Sequence, residues 1–202
     1  MTKADKARVI PFRRKQSAID PLSDEALIAA CATGDPNALA QLFDRLCNDV
    51  TRFLGRLAYI DSQDVQDCVQ DVFLAVFRSA SSYRQRSGVK TWVLAIAGNV
   101  ARERWRKTAR GRSVRDQLAL DVFRVEGPSL ECATVTKDLI LRVERSIKTL
   151  PHDLRVAFVM CDVEELPGVE VAHALGIPNG TLYRRLHEAR QRLRRELDGS
   201  EP

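Results

Sequence analysis

Arginine side chains crowd the helix that the sequence predicts near the C-terminus. Apolar residues recur at helical spacing from Leu182 to Leu197, so one side of this helix is expected to be buried. Its other sides carry Arg184, Arg185, Arg190, Arg192, Arg194 and Arg195. Guanidinium groups bind phosphates and can read base edges through paired hydrogen bonds. The pattern therefore favours binding of a nucleic acid, although a solvated basic face in an ordinary helical bundle would look the same.

A short apolar helix and a tight turn precede this basic helix. The segment LPGVEVAHALGIPNGTLYRRLHEARQRLRREL, residues 166–197, is interrupted at Gly176 and Pro178. Small Ala172 allows two helices to approach, Gly176 can take the unusual dihedral of the turn, and Leu182 can fill the angle between the helices. Such a helix-turn-helix presents the start of its second helix to a DNA major groove.

A second basic helix is predicted over Lys90–Ala109. Its inward side carries Trp92, Val93, Ile96 and Val100, with the stem of Arg104. Its outward side carries Asn99, Arg102, Glu103, Arg106, Lys107 and Arg110. Aromatic rings stack on unpaired bases, guanidinium groups neutralise phosphates, and an amide can read a base edge. This helix, with the preceding polar loop, is therefore predicted to bind opened DNA; the alternative is a core Trp92 under a solvated basic face.

An acidic helix is predicted over Ser62–Ala80. Its apolar face is formed by Val65, Val69, Val72, Phe73, Val76 and Phe77. Its acidic face is formed by Asp64, Asp67, Gln70 and Asp71. Asp67 and Asp71 lie one turn apart beside two phenylalanines, an arrangement suited to docking a basic partner helix. A solvated charged face is the usual explanation for such a pattern.

The charges of the chain are strongly segregated. Residues 20–75 carry ten acidic and three basic side chains, a net charge of −7, whereas residues 86–115 carry nine basic and one acidic side chain, a net charge of +8. Two basic surfaces, separated in sequence, suggest two contacts with a polyanion.

Composition limits the remaining possibilities. The 202 residues are 45% hydrophobic and rich in helix-forming residues. No apolar run approaches the roughly 20 residues of a membrane span, and no secretory signal is present. The five cysteines are scattered without a CxxC pair, and the three histidines are isolated. We therefore expect a cytoplasmic protein without membrane insertion, metal, cofactor or catalytic site.

The helix pattern predicts an all-α chain of two small helical domains joined by a flexible linker, the C-terminal one a helix-turn-helix. A disordered basic tail is expected over 1–21, the first domain over 22–110, the linker over 111–131 and the second domain over 132–198. The other predicted helices are 23–33, 37–59, a first helix of the second domain ending at Leu150, and 152–162.

Four stretches in this order resemble the small extracytoplasmic-function group of bacterial sigma factors. They are SDEALIAACATGDPNALAQLFDRL, DVQDCVQDVFLAVFRSASSYR, KTWVLAIAGNVARERWRK and the segment from Leu150 to Leu197. The resemblance implies a dissociable promoter-specificity subunit of RNA polymerase. It would bind the largest and second-largest polymerase subunits and promoter DNA, and a regulatory anti-sigma protein is a further expected partner.

The resemblance also implies a role for particular residues. The polymerase's basic coiled coil should be engaged by Asp64, Asp67, Gln70, Asp71, Phe73 and Phe77. The melted minus-ten strand should be held by Tyr83, Arg86, Lys90, Trp92, Asn99, Arg102 and Arg106. The minus-thirty-five element should meet Thr181, Tyr183, Arg184, Arg185, His187 and Arg190. The linker should thread between the two domains through the polymerase channel.

Three positions depart from the family pattern. Tyr183 and Glu188 stand where basic residues are frequent, and Gly98 stands where the residue is usually larger or basic. Glu188 could accept a hydrogen bond from a cytosine amino group or pair with a neighbouring arginine.

The alternative function is a stand-alone helix-turn-helix repressor or activator, which would need neither the acidic helix nor the second basic segment.

Overall fold

The computed structural model describes residues 22–57, 62–111, 142–143 and 145–197, with residues 62–64 and 108–111 described by their backbone alone. Within these ranges every regular element is helical, which confirms the predicted all-α fold. The predicted N-terminal tail, the linker with its possible turn at 117–123, and residues 132–141 lie outside the described residues.

The first two helices begin where the sequence supplies capping groups. Helix α1 spans Asp24–Ala32, and the Ser23 hydroxyl accepts a hydrogen bond from the Ala26 amide at 3.2 Å. Helix α2 spans Pro36–Leu57. The Asp35 carboxylate accepts a hydrogen bond from the Asn37 amide at 2.9 Å, so both helix starts follow from local sequence.

Two further helices complete the N-terminal helical unit, by which we mean the described residues from 22 to 111. Helix α3 spans Ser62–Ser79, a 3-10 turn follows at Ala80–Ser82, and helix α4 spans Val89–Gly111. Side chains from α1 to α4 that are wholly buried in its core include Leu27, Leu42, Val50, Phe53, Val72, Val76 and Leu94. The helical spacing of apolar residues in α2 predicts a buried Phe43, but this residue is 37% exposed.

The C-terminal helical unit, the described residues from 142 to 197, contains the predicted helix-turn-helix. Residues 145–149 are helical, helix α5 spans His152–Phe158, and a π-helical turn follows at Val159–Val163. Helix α6 spans Gly168–Leu175 and helix α7 spans Asn179–Leu197.

The turn of the helix-turn-helix has the predicted geometry. Gly176 has a φ of +66°, in the left-handed region that glycine occupies without a steric penalty. Leu182 is fully buried and Ala172 is 1% exposed, so these two side chains lie between α6 and α7 as the sequence predicted.

The two helical units pack against each other through one continuous hydrophobic core. Val156, Ala157 and Met160 of the C-terminal unit join the core of the N-terminal unit, and α4 contacts α6 directly. Helix α4 is therefore covered on more than one side. The spacing of apolar residues predicts a narrower buried face for α4, but Ala97 and Ala101 are also fully buried.

Of the described helices, none is both long and apolar enough to cross a membrane.

Candidate nucleic-acid and protein interfaces

The start of helix α7 presents an exposed mixed surface. Tyr183 is 55% exposed, Arg184 and His187 are exposed, and Thr181 is half-buried. The buried leucines Leu182, Leu186 and Leu193 fix the orientation of α7, and this leaves Arg184 and His187 on its exposed side. The Tyr183 ring lies over the first turn of α6, where a Cβ built on Gly168 would be 3.2 Å from the tyrosine oxygen. An aromatic ring, a guanidinium and an imidazole thus share the face that a helix-turn-helix offers to DNA.

Two other arginines of α7 turn back onto their own unit. An amino nitrogen of Arg185 donates to Asp153 Oδ2 at 2.8 Å, and the arginine side chain is 23% exposed. Arg190 donates from Nε and Nη2 to the two oxygens of Asp162, at 2.8 and 2.6 Å. This hydrogen-bonded carboxylate raises the pKa of Arg190. Both arginines belong to the predicted DNA-binding set, but each already has an anionic partner.

Glu188 pairs with an arginine of its own helix. Arg192 donates to Glu188 Oε1 at 2.8 Å across one helical turn. His187 lies 3.0 Å from the Gln191 amide nitrogen, one turn further along the same face. The sequence predicts that Glu188 either accepts a hydrogen bond from cytosine or pairs with a neighbouring arginine. In the chain without DNA it pairs with Arg192.

The loop before α4 is held by an aromatic pair. The Tyr83 hydroxyl donates to the Ser87 carbonyl oxygen at 2.6 Å, and its ring centroid lies 5.2 Å from that of Trp92. Trp92 is half-buried, whereas Arg86 is exposed. This packing fixes the loop against the first turns of α4.

Further along α4 the predicted minus-ten residues divide into two groups. Asn99 and Arg106 are exposed. Lys90 and Arg102 face the C-terminal unit: Lys90 Nζ lies 3.4 Å from Glu164 Oε2, and an Arg102 amino nitrogen lies 3.3 Å from Asp153 Oδ1. Arg102 is nonetheless exposed, with a side chain 48% open to solvent, whereas Lys90 is half-buried.

The acidic face of α3 is exposed as predicted. Asp67, Gln70 and Asp71 all reach solvent, whereas Phe73 is 3% exposed and Phe77 is half-buried. The side chain of Asp64 lies outside the described residues. The two phenylalanine side chains therefore pack into the core side of α3, and the acidic face lies on its exposed side.

An apolar groove adjoins the acidic face, and the sequence analysis missed it. It has a volume of about 430 Å³ and runs between α2 and α3. Phe43, packed on Phe73 with ring centroids 4.8 Å apart, and Leu74, 48% exposed, form its rim. Leu74 follows Gln70 by four residues and Asp71 by three, so it lies on the same side of α3 as the acidic face. This spacing is the feature of the sequence from which an apolar site beside the carboxylates could have been predicted.

The described residues contain no cluster of three or more histidine, cysteine or carboxylate side chains that could hold a metal ion. Burial raises the pKa of the Cys31 thiol, and burial with the neighbouring Asp162 raises that of Cys161 to about 11. A thiol with a raised pKa is a poor nucleophile at neutral pH.

Two protein-family models match the chain. The sigma-70 region 2 model matches residues 42–111, and the sigma-70 region 4 model matches residues 140–193. The first match contains the acidic face and the basic helix α4, and the second contains the helix-turn-helix.

Several curated proteins are similar over most of their length. The chain is 33% identical to the ECF RNA polymerase sigma factor SigM of Mycobacterium tuberculosis over 175 residues, covering 87% of this chain and 85% of that protein. It is 30% identical to the ECF RNA polymerase sigma-E factor of Escherichia coli over 179 residues, covering 85% of this chain and 93% of that protein. The chain is 29% identical to the sigma-E factor of Haemophilus influenzae over 190 residues, covering 88% of this chain and 97% of that protein.

Two solved structures share the fold. CnrH, solved in complex with the cytosolic domain of CnrY, superposes with a TM-score of 0.61 at 23% identity, covering 88% of this chain and 99% of CnrH. The sigma factor RpoE of Bartonella quintana, solved with the anti-sigma factor NepR, gives a TM-score of 0.58 at 21% identity, covering 81% and 98%. The chain belongs to the ECF sigma factors of the sigma-70 family, which direct RNA polymerase to promoters to initiate transcription.

Proposed function

We propose that this sigma factor works in the cytoplasm without catalysis of its own, and divides its contacts between two domains. The domain at 22–110 contacts the polymerase clamp and the minus-ten element. The domain at 132–198 binds the minus-thirty-five element, and the linker at 111–131 runs through the polymerase channel between them. The observation that carries this division is the separation of an exposed acidic face on α3 from an exposed mixed face on α7.

The contact with polymerase is argued from the surface around α3. The carboxylates of Asp67 and Asp71 flank Gln70, and the groove rimmed by Phe43 and Leu74 lies beside them. Such a surface suits a partner helix that carries both basic and apolar side chains. The carboxylates speed and orient the encounter, and apolar burial in the groove slows dissociation.

The contact with the minus-ten element is argued from α4 and its loop. Asn99 and Arg106 are exposed along the helix, and the rings of Trp92 and Tyr83 pack against each other near its start. An extruded base costs a few kcal/mol to unstack, which contacts made only in the open state must offset. The amide supplies base-edge hydrogen bonds and the guanidinium neutralises a phosphate.

The contact with the minus-thirty-five element is argued from α7. Tyr183, Arg184 and His187 are the exposed residues at the start of the recognition helix. Arg185 and Arg190 are held by carboxylates, and we assign them to backbone phosphates, which position the helix on the duplex.

A regulatory partner is part of the proposal. CnrH and Bartonella RpoE, which share this fold, were each solved with a protein partner, and the partner of RpoE is named an anti-sigma factor. We propose that an anti-sigma protein likewise restrains this chain.

The test is binding to core RNA polymerase in the absence of DNA, followed by transcription from a matched promoter. The purified chain should co-migrate with core enzyme and make transcription promoter-dependent. A stand-alone repressor would instead bind duplex DNA tightly by itself and leave core enzyme unbound. That result would contradict the proposal.

A further inference from the structure

The apolar groove between α2 and α3 is rimmed by large apolar side chains that reach solvent. Phe43 and Leu74 are 37% and 48% exposed, and Leu39, Ala40 and Phe73 also line the groove. Exposed apolar residues that share one groove favour the binding of another apolar segment. Core polymerase is the proposed occupant in the holoenzyme, and the chain itself carries a second segment of matching composition.

The groove has an acidic border. Asp44 is among its lining residues, and Asp67 and Asp71 lie on the same side of α3 as Leu74. Residues 20–75 together carry a net charge of −7. Basic groups on an approaching segment are therefore attracted over about 8–10 Å at physiological ionic strength. The groove suits an apolar segment that is flanked by basic residues.

The N-terminal tail, residues 1–21, has this composition. It carries six basic and two acidic side chains, a net charge of +4. Its longest uninterrupted apolar run is Val9, Ile10, Pro11 and Phe12, with Arg8 directly before it and Arg13, Arg14 and Lys15 directly after it. A proline disfavours helical backbone at the residue before it, so this run favours an extended segment whose side chains can enter a groove.

The tail joins the fold close to the groove. Asp24, in the first turn of α1, lies 2.6 Å from an amino nitrogen of Arg45 on α2. Arg45 is two residues beyond Phe43, which places it about 3 Å further along α2 and on the other side of the helix. The tail must therefore cross α2, whose diameter with side chains is about 10–12 Å. Phe12 is ten residues from Leu22, and ten residues can span about 33 Å, so Phe12 can reach the groove.

We propose that the tail of the free chain binds in this groove, with Ile10 and Phe12 against Phe43 and Leu74 and the flanking arginines beside the carboxylates, and that core polymerase displaces it. This inference rests on the proposed function, which assigns the groove to polymerase. A short linker gives the tail an effective concentration on the order of millimolar, so a contact that is weak between separate molecules is substantially occupied. Because one groove serves both, the apparent affinity for polymerase falls in proportion to the fraction of free grooves.

The first test locates the tail by photo-cross-linking in the full chain. Phe12 is replaced by p-benzoylphenylalanine, the protein is irradiated without polymerase, and the cross-linked peptides are identified by mass spectrometry. We expect most cross-links to form within one chain and at residues that line the groove, and to decrease severalfold when core polymerase is added. The same replacement at Ile19 is the control, because the three residues to Leu22 span only about 10 Å and do not reach around α2.

A groove variant adds a second comparison to the cross-linking test. Leu74→Ala should lower the yield from position 12 severalfold, whereas Val169→Ala, at a residue of α6 that is also 48% exposed, should leave it unchanged. Equal yields in the two variants, or cross-links spread evenly over both helical units, would overturn the inference. Cross-links that join two chains would overturn it as well, because the groove would then take the tail of a second copy.

The second test measures the competition with polymerase. Ile10→Ser with Phe12→Ser removes the apolar side chains and keeps every charge of the tail. Fluorescence anisotropy should then show an affinity for core polymerase about two- to fivefold higher than that of wild type. Ala18→Ser with Ile19→Ser is the matched control and should bind as wild type.

The outcomes of the second test separate the two proposals. Equal affinities of Ile10→Ser with Phe12→Ser and of wild type would overturn the inference while leaving the proposed function intact. If neither protein binds core polymerase, the proposed function is wrong, and the cross-links from position 12 still decide whether the tail occupies the groove.

Discussion

Asp71 on α3 and Arg104 on α4 form an ion pair in which one carboxylate oxygen lies 2.7 Å from Nε and 2.6 Å from Nη2 of the arginine. The pair connects the surface proposed for polymerase to the helix proposed for melted DNA. A basic polymerase helix that approaches Asp71 would therefore compete with Arg104. Asp67 on the same face is exposed, which makes it the cleaner position for testing the polymerase contact.

Asp67→Arg should weaken the polymerase contact while leaving the fold intact. The substitution reverses an exposed charge, and like charges across an interface cost several kcal/mol. We expect affinity for core polymerase to fall at least tenfold, measured by fluorescence anisotropy, with unchanged helicity. Asn48→Arg, at an exposed position of α2 that does not line the groove, is the control and should bind nearly as wild type. Equal affinity of the two variants would contradict the assignment.

Arg184→Ala should weaken recognition of the minus-thirty-five element. Arg184 is exposed near the start of α7, and a bidentate contact to a base discriminates by about 1–3 kcal/mol. The measurement compares holoenzyme affinity for promoters with native and scrambled elements. Arg192→Ala, two turns further along and paired with Glu188, should leave the discrimination unchanged. Undiminished discrimination by Arg184→Ala would show that this side chain does not read a base.

Asn99→Ala with Arg106→Ala should impair promoter melting alone. Both side chains are exposed on α4. We expect normal polymerase binding, loss of permanganate reactivity at minus-ten thymines, and recovery of much of the activity on a pre-melted template. Lys107→Ala, at a side chain 71% exposed on the same helix, is the control. Wild-type melting by the double variant would mean that α4 is only a solvated basic face.

His152 should make the stability of the folded chain sensitive to acid. Burial, with repulsion from Arg102 and Arg155, lowers its pKa from 6.5 to about 4, and Asp153 with a hydrogen bond to the Gly98 backbone only partly oppose this. The folded state thus favours the neutral imidazole. Its contribution to stability is present above pH 6.5 and is lost as pH falls from about 6.5 towards 4, where only the unfolded chain takes up the proton.

The check is thermal unfolding between pH 7 and pH 4.5 for wild type and His152→Gln. The variant cannot titrate at this position, so its Tm should fall less over that interval than the Tm of wild type. Parallel curves for the two proteins would show that position 152 does not contribute to the acid sensitivity.

The helices and the helix-turn-helix could be predicted from local sequence. Ser23 capping α1, Gly176 at a left-handed turn and Leu182 between two helices act over a few residues. Caps and apolar periodicity are local, so the order of residues is enough to predict them. The exposed acidic face of α3 followed from the same periodicity.

The way in which the two helical units meet could not be predicted from local sequence. Phe43 lost its predicted burial because α2 and α3 leave a groove between them, and Ala97 and Ala101 gained burial in α4, which is covered on more than one side. The sharing of Asp153 between Arg102 and Arg185 joins residues far apart in the chain. Such pairings depend on the packing of whole helices against each other, and no periodicity within a single helix encodes them.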